Sequence, residues 1–372
     1  MKTITTFLAT ILICILTACS TTTSPIEQDI ILTDDLVSEL ENTLDEALEN
    51  STIPGVIAGV FTDDGESWIA TRGVSNIETD EPMSENCHFR IGSVTKTFVA
   101  SVILQLVDEG LVQLDNPVST YLPELNIPAA DTITVRMLGN MTSGLMDYSV
   151  TEEMIRIAAS GEVIFTPERL AYLCTIYPLN FAPGTDFEYC NTNYVLLGMI
   201  IEKLTGKTAK KNLEERIFEP LEMQNTSWPI TRFLPSPYAH GYSRSFTTGT
   251  LDDFSFYQPS WMDAAGILVS NIYDVKKYAG AFTRGELVSA AGFTEQTNYN
   301  LIANTAYGPV QYGFGITNYW GWVGHSGATP GYCTAMYHNA EKGITIIVLT
   351  NYQVDPDLPA ESIFVKLSTL FN

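Results

Sequence analysis

Apolar residues spaced four apart predict an amphipathic helix over residues 35–50. Acidic residues separate these positions, which is the pattern of a helix with one buried face. The leucines on that face are Leu36, Leu40, Leu44 and Leu48. Two apolar stretches follow at 55–61 and 67–71, and the turn residues 63–65 between them predict a β-hairpin. The folded part of the chain is therefore expected to start as a helix followed by an antiparallel hairpin.

The rest of the chain divides into a helical middle and a strand-rich end. Residues 94–225 carry a mostly helical pattern, with helices that stop at Gly110 and Gly206. A last helix is predicted from Leu358. Alternating segments between polar or glycine-containing turns predict strands at 312–317, 322–327, 332–337 and 344–349. The expected fold class is α/β (α+β): one antiparallel sheet built from both chain ends and flanked by helices, with an inserted all-helical subdomain.

The first residues predict export rather than a folded element. A short basic start is followed by an apolar run, residues 7–15, that is too brief to span a bilayer comfortably, so residues 1–18 are predicted to be a signal peptide. This segment ends in Leu16-Thr17-Ala18-Cys19, which resembles a bacterial lipobox. Cys19 is then the expected lipidation site, and an ordinary signal peptide with a chance cysteine is the alternative.

The predicted signal peptide and lipobox indicate where the protein is located. Residues 19–34 would form a lipidated tether, and residues 35–370 would form the folded domain. The expected product is an exported bacterial lipoprotein, anchored to a membrane and facing the periplasm or the cell exterior.

Composition narrows the functional classes. The 372 residues include 19 Lys and Arg against 43 Asp and Glu, a formal charge of −24, so the average field repels nucleic-acid phosphates. A general nucleic-acid binder is therefore excluded. Four cysteines outside the predicted leader form no closely spaced pair, so zinc and redox motifs lack support and buried thiols are favoured over a disulfide. These are Cys87, Cys174, Cys190 and Cys333.

Ser93 and Lys96 are the first candidate catalytic pair. A glycine-marked turn enters a predicted helix near Val94, so residues three apart share one helix face and the Lys96 amine would lie near the Ser93 hydroxyl. A lysine desolvated in an apolar helix becomes neutral enough to take the proton of a serine. The start of the helix also offers backbone N–H groups where an oxyanion would form.

Tyr189 and Asn191 form the second candidate group, at the start of another predicted helix. A tyrosine beside a buried cation is expected to lose its proton more easily and to return one to a leaving group. Asn191 could hold both the lysine and a substrate amide. A core tyrosine without a catalytic role is the alternative for Tyr189.

The third candidate group lies on a predicted strand near the end of the chain and comprises His325, Ser326, Gly327 and Ala328. The missing side chain of Gly327 would let a substrate backbone lie along the strand edge. His325 could supply positive charge or a proton, and the Ala328 N–H could pair with that of Ser93 as an oxyanion donor. A structural, hydrogen-bonded histidine is the alternative for His325.

In this order, Ser-x-x-Lys, Tyr-x-Asn and His-x-Gly resemble the motifs of the serine β-lactamase and penicillin-binding protein superfamily. The branch is the one that contains class C β-lactamases, D-alanyl-D-alanine carboxypeptidases, D-peptidases and related carboxylesterases. Further similar phrases are Thr142-Ser143-Gly144-Leu145, Pro183-Gly184 and Ala265-Gly266. The resemblance covers residues 35–370 and implies the β-lactamase/transpeptidase-like fold.

The resemblance also implies roles. Ser93 would be acylated, Lys96 and Tyr189 would move protons, and water would then release the acyl group without a metal or cofactor. Asn191 would be the polar residue of the middle motif. Ser326 would place its hydroxyl beneath the carboxylate of the substrate.

Three residues depart from the usual motifs of the branch. Cys190 stands where serine is common, His325 stands where class C β-lactamases usually carry lysine, and Ala328 lacks a hydroxyl that carboxypeptidase-like members often use. The leading interpretation is a D-alanyl-D-alanine carboxypeptidase or D-peptidase acting on cell-wall type peptides. A class C-like β-lactamase, a carboxylesterase, and a non-catalytic penicillin-binding or wall-binding relative are the alternatives.

Overall fold

The structure is a computed structural model, and it describes residues 31–151, 154, 163–244, 249–299, 301–305, 308–354 and 358–371. The predicted signal peptide, Cys19 and most of the predicted tether lie outside the described residues. The four other cysteines named above are buried and unpaired. None of the helices in the described part of the chain is long and apolar enough to cross a lipid bilayer.

Both ends of the chain form helices and strands, and the middle of the chain is mostly helical. The α-helices are α1 (Asp34–Leu48), α2 (Thr95–Asp108), α3 (Val135–Gly139), α4 (Pro167–Thr175), α5 (Asn191–Thr205), α6 (Ala209–Leu213), α7 (Ile272–Thr283), α8 (Ala290–Gln296) and α9 (Pro359–Ser368). The strands of the first half are β1 (Gly55–Thr62), β2 (Ser67–Asn76), β3 (Glu81–Pro82) and β4 (Phe89–Arg90). Those of the second half are β5 (Tyr242–Arg244), β6 (Leu251–Asp253), β7 (Val269–Ser270), β8 (Leu301–Thr305), β9 (Gly308–Tyr312), β10 (Thr317–Tyr319), β11 (Trp322–Thr329), β12 (Tyr332–Asn339) and β13 (Ile344–Thr350).

One antiparallel sheet joins the two ends of the chain, as the sequence predicts. Its strand order is β3-β2-β1-β13-β12-β11-β10-β9-β8. Strand β1, near the start of the described residues, therefore pairs with β13, near their end. Two short additional ladders pair β4 with β7 and β5 with β6. The predicted fold class is confirmed.

Both faces of this sheet are buried, which explains why its central strands read as nearly continuous apolar runs. Alternate residues of β1 enter different cores: Val56 packs with α1 and α9, whereas Ile57 packs with the helical half of the molecule. In α1 the buried side chains are Leu40 and Leu44, two of the predicted leucines. The periodicity of four is therefore accounted for by packing on the sheet.

Helix α2 lies at the centre of the molecule. Its residues from Thr95 to Leu104 are all buried, because other helices and short 3-10 turns pack around it. A polar side chain in its first turn must consequently find its partners inside the protein. This location isolates Lys96 from bulk water.

The predicted strand at 312–317 is wrong. Strand β9 ends at Tyr312 and β10 begins at Thr317, and the residues between them turn the chain. Gly315 has a φ of +69°, and a Cβ added to Gly313 would lie 2.3 Å from the Gln296 carbonyl oxygen. Both positions therefore favour glycine, and the turn ends the pairing of β10 with β11 at Gly324.

Candidate active site

Ser93 lies in a 3-10 turn, Gly92–Val94, that leads directly into α2. At Gly92 the backbone has a φ of +50°, and an added Cβ would lie 2.8 Å from the Ala328 nitrogen. A glycine at this position therefore lets the turn pack closely against β11. Ser93 remains partly exposed, whereas the residues around it are buried.

Lys96 is fully buried and its amine contacts three oxygens. Its Nζ lies 3.0 Å from Ser93 Oγ, 2.7 Å from Asn191 Oδ1 and 2.7 Å from the Ala265 carbonyl oxygen. A neutral amine has two N–H donors and one lone pair. With Asn191 and the carbonyl accepting those two hydrogens, the lone pair is left for the Ser93 hydroxyl.

Burial lowers the pKa of Lys96 to about 7, against the opposing attraction of the Asp147 carboxylate. A lysine is normally charged at this pH, because its ordinary pKa lies above 10. The predicted uncharged amine beside the Ser93 hydroxyl is thus what the geometry and the desolvation produce together.

Asn191 is held by Asp147, a residue that the sequence reasoning missed. The Asn191 side-chain amide donates to Asp147 Oδ2 at 2.9 Å and to Ser149 Oγ at 2.9 Å, while its backbone N–H donates to the same carboxylate at 3.1 Å. These contacts fix Oδ1 toward Lys96. They also occupy both amide hydrogens, so the expected contact of Asn191 with a substrate amide would require displacing a partner.

Tyr189 lies beside the lysine, but not as the sequence predicts. Lys96 Nζ is 4.8 Å from the centre of the Tyr189 ring, over its face rather than at its oxygen. The hydroxyl is buried, and none of the described residues lies within hydrogen-bonding geometry of it, although the Ser93 hydroxyl is nearby. Burial raises the pKa of Tyr189, with only the nearby Ser93 hydroxyl opposing it. The raised pKa is contrary to the expectation of an easily ionised phenol, because burial disfavours the phenolate and the Lys96 amine is not among the causes that lower this pKa.

His325 is neutral for a similar reason. Its ring is buried, which lowers its pKa to about 4, and the charge of Lys96 acts in the same direction. Its Nδ1 donates to the Ser326 carbonyl oxygen, so the neutral ring has a bare Nε2, which lies 3.3 Å from the Tyr312 hydroxyl. The expectation that His325 supplies positive charge is wrong near neutral pH, because burial excludes the water that would stabilise the charged ring.

The edge of β11 is open where the third motif lies. Residues 325–328 pair with β12 on one side, and β10 reaches only Gly324 on the other. A Cβ added to Gly327 would lie 2.1 Å from the Ile91 carbonyl oxygen and 3.0 Å from the Ser93 nitrogen. The expected reason for this glycine is therefore corrected: the turn that carries Ser93, rather than a substrate, occupies the space beside it.

Two cavities meet at Ser93 and Ala328. The first, called the aromatic cleft below, has a volume of about 300 Å³ and is lined by residues that include Tyr148, Asn191, Tyr257 and Trp261. The second, called the acidic cavity below, has a volume of about 600 Å³ and is lined by residues that include Asp186, Glu188, Tyr189, His325, Ser326 and Glu361. The nucleophile candidate therefore has a separate space on each side for the two halves of a substrate.

The structure thus brings together the residues that three separate motifs predict. Ser93, Asn191 and Tyr189 surround the Lys96 amine. Ala328 of β11 lines the same site. The described residues contain no cluster of three His, Cys, Asp or Glu side chains arranged to hold a metal ion.

A sequence profile assigns the family. The profile described as Beta-lactamase matches residues 40–369. The chain belongs to the beta-lactamase family. In this family context the three motifs and the nine-stranded sheet of the described residues have a common explanation, and the predicted resemblance is confirmed.

Relatives of this beta-lactamase family protein include two D-aminopeptidases. The chain is 26% identical over 320 residues to a D-aminopeptidase of Cereibacter sphaeroides, which covers 83% of this chain and 59% of that protein. It is 29% identical over 308 residues to a D-aminopeptidase of Brucella anthropi, covering 81% of this chain and 56% of that protein. The chain therefore spans somewhat more than half the length of these relatives.

Solved structures resemble the fold over nearly the whole chain. A D-stereospecific amidohydrolase from a Streptomyces species has a TM-score of 0.77 and 28% identity, covering 88% of this chain and 97% of that one. The D-amino acid amidase from Ochrobactrum anthropi SV3, complexed with D-phenylalanine, has a TM-score of 0.78 and 26% identity, covering 90% and 99%. This member of the beta-lactamase family is therefore similar to D-aminopeptidases, to a D-stereospecific amidohydrolase and to a D-amino acid amidase.

Proposed function

We propose that this protein hydrolyses amide bonds of D-amino-acid amides or peptides through an acyl-enzyme on Ser93. The observation that carries the proposal is the buried Lys96 amine, with a pKa of about 7, at 3.0 Å from the Ser93 hydroxyl. The D-aminopeptidase and D-amino acid amidase relatives support D-configured substrates. They support the carboxypeptidase interpretation less directly, because they are not described as carboxypeptidases.

In the acylation step, neutral Lys96 takes the Ser93 proton while Oγ forms a bond to the carbonyl carbon. The oxyanion accepts hydrogen bonds from the N–H groups of Ser93 and Ala328. The C–N bond then breaks, and the departing nitrogen takes a proton from the Tyr189 hydroxyl. Protonated Lys96 returns a proton to the phenolate once its amine moves from over the ring face to the oxygen. Water repeats the sequence in reverse, losing its proton to the amine and leaving a free acid and the original serine.

The charge of the site disfavours substrates that carry a carboxylate near the cleaved bond. Neither cavity is lined by a lysine or arginine side chain among the described residues. The buried guanidinium of Arg90 packs on the Tyr257 ring, 4.5 Å from its centre, and donates to the Arg232 and Ser255 carbonyl oxygens. Both a D-Ala-D-Ala terminus and a penicillin would bring a carboxylate without a cationic partner.

A substrate panel tests the proposal. We expect hydrolysis of D-phenylalaninamide to exceed that of L-phenylalaninamide by at least about tenfold in kcat/KM, since about 1.4 kcal/mol of difference suffices for that ratio. The comparison continues with a D-Ala-D-Ala peptide, benzylpenicillin and a short-chain ester, the first two of which should react slowly. Equal rates for the two enantiomers would contradict D-selectivity. Fastest turnover of penicillin or of the ester would favour the β-lactamase or carboxylesterase alternative.

The pH dependence of acylation should report Lys96. Because only the neutral amine accepts the Ser93 proton, and its pKa is about 7, kcat/KM should rise as pH increases through 7 and level off above it. Below that value the rate should fall about tenfold per pH unit. His325 is already neutral throughout this range. Stopped-flow measurement from pH 5 to 9 checks this, and a flat profile would show that Lys96 is not the base.

We further propose that the enzyme works outside the cytoplasm. The basic start, the short apolar run and the lipobox-like Leu16-Thr17-Ala18-Cys19 support export and lipidation of Cys19. Metabolic labelling with a palmitate analogue, in native protein and in Cys19→Ser, would test the anchor.

A further inference from the structure

The two sides of Ser93 differ in which half of a substrate they can receive. The Tyr189 hydroxyl, which delivers the proton to the departing nitrogen in the proposed reaction, belongs to a residue lining the acidic cavity, as does the His325 ring. Asn191 and the rings of Tyr257 and Trp261 line the aromatic cleft instead. Because the proton donor must face the departing atom, the leaving group points into the acidic cavity and the acyl group into the aromatic cleft.

The acidic cavity carries carboxylates without matching cations. Asp186 and Glu188 lie exposed at its rim, and Glu361 lines its interior. The described lining residues include no lysine or arginine, and His325, with its pKa lowered to about 4, adds no charge near neutral pH. The potential in this cavity is therefore negative, which favours a cation and opposes an anion.

Glu361 is an unusual residue for this position. It is only 2% exposed, it lies in the first turn of α9, and its carboxylate accepts a hydrogen bond from the Tyr319 hydroxyl. Burial raises its pKa, while the hydroxyls of Tyr319 and Ser326 favour its charged form. None of the causes of that shift is a basic group. A carboxylate has about four acceptor positions, so two hydroxyls leave room for another donor.

Ser326 connects Glu361 to the edge where the substrate docks. The family resemblance implies that this hydroxyl contacts a substrate carboxylate, yet here it lies beside a buried carboxyl group. An incoming carboxylate would meet no cation there, and it would meet like charge in a site of low dielectric whenever Glu361 is ionised. An ammonium group would instead donate to an acceptor position of the Glu361 carboxylate that the two hydroxyls leave open.

We propose that the acidic cavity is a leaving-group subsite that selects a positively charged side chain, with Glu361 as its specificity-determining residue. This proposal rests on the proposed amide hydrolysis at Ser93. The class of substrate is a D-aminoacyl compound whose leaving amine carries a lysine-like or ornithine-like ammonium and no free carboxylate beside the cleaved bond. The ammonium donates to Glu361 in the interior, with Asp186 and Glu188 attracting it at the rim.

Three substrates with one acyl group test this proposal. They are D-phenylalanyl-lysinamide, D-phenylalanyl-norleucinamide and D-phenylalanyl-norleucine with a free carboxylate. Norleucine matches the length of lysine without its charge, and the N-terminal ammonium is common to all three. We expect the wild-type kcat/KM to be about tenfold higher for the lysine compound than for norleucinamide, and lowest for the free acid.

Glu361→Gln separates recognition from structure, because glutamine keeps a hydrogen-bond acceptor for Tyr319 but removes the charge. The ratio between the lysine and norleucine amides should fall toward one in this variant. Glu341→Gln, which removes one exposed acidic group outside both cavities, should keep the wild-type ratio. An unchanged ratio in Glu361→Gln, or no preference in the wild type, would overturn the proposal.

If Glu361→Gln fails to fold, substitution of the two acidic residues at the rim of the cavity tests the proposal instead. Both rim acids are exposed, and the double variant Asp186→Asn, Glu188→Gln should lower the same ratio by a smaller factor. An unchanged ratio there would count against the subsite. Failure of the proposed function itself is distinguishable, because none of the three compounds would then be cleaved by wild-type protein in a manner that depends on Ser93.

Discussion

Replacing Lys96 with methionine is expected to lower kcat/KM for a D-amino-acid amide by about 10³- to 10⁴-fold, the range that loss of a well-placed general base produces. Methionine approximates the volume of the buried lysine stem but has no lone pair able to take the Ser93 proton. It also leaves Asn191 Oδ1 and the Ala265 carbonyl oxygen without their present donor. The defect should lie in kcat more than in KM, because the amine acts on the reacting serine rather than on the substrate.

A surface control and a stability measurement make the Lys96 result interpretable. Lys366→Met removes one exposed positive charge from α9 and should not change the rate. In the wild type the folded-state pKa of Lys96, about 7, lies below that of the unfolded chain, so the unfolded state binds more protons above pH 7 and stability rises with pH. Thermal unfolding at pH 7 and pH 9 should show this rise diminished in Lys96→Met. Activity within tenfold of wild type would exclude Lys96 as the base.

The sequence predicts the fold best where periodicity and packing agree. The leucines of α1 and the hairpin formed by β1 and β2 follow from local pattern, because each element has one apolar period and a strong turn or stop. The strand predicted at 312–317 fails because Gly313 and Gly315 turn the backbone against neighbouring elements. That close approach is a tertiary fact, and no window of local sequence contains it.

At the site, the sequence predicts which residues come together but not their protonation states. Spacing along a helix is enough to place Lys96 near Ser93, since three residues make almost one turn. The protonation of Tyr189 and His325 could not be read in this way, because it depends on how completely distant elements exclude water. Asp147 and Glu361 were missed for a related reason. A lone acidic residue in an apolar stretch, such as Asp147 between Met146 and Tyr148, is the one signal that could have suggested burial.

Replacing Ser93 with alanine is expected to abolish the acyl-enzyme and to lower kcat by roughly 10⁴- to 10⁶-fold, as loss of a covalent nucleophile does in other serine hydrolases. The fold should survive, because Lys96 keeps its contacts with Asn191 Oδ1 and the Ala265 carbonyl oxygen. Rapid acid quenching during turnover of D-phenylalanine p-nitrophenyl ester, followed by intact-protein mass measurement, should reveal an added D-phenylalanyl group in wild type and none in the variant.

Ser149 provides the matched comparison for this experiment, because it is a second serine hydroxyl in the aromatic cleft and accepts a hydrogen bond from Asn191 at 2.9 Å. No amine of the described residues is hydrogen-bonded to it, as Lys96 is to Ser93, so Ser149→Ala should still form the acyl-enzyme and lose at most about tenfold in rate. The two variants therefore separate the hydroxyl that reacts from one that only orients Asn191. An acyl group that persists in Ser93→Ala and disappears in Ser149→Ala would show that Ser149, rather than Ser93, is the nucleophile. Lys96 would then not be the base that activates it.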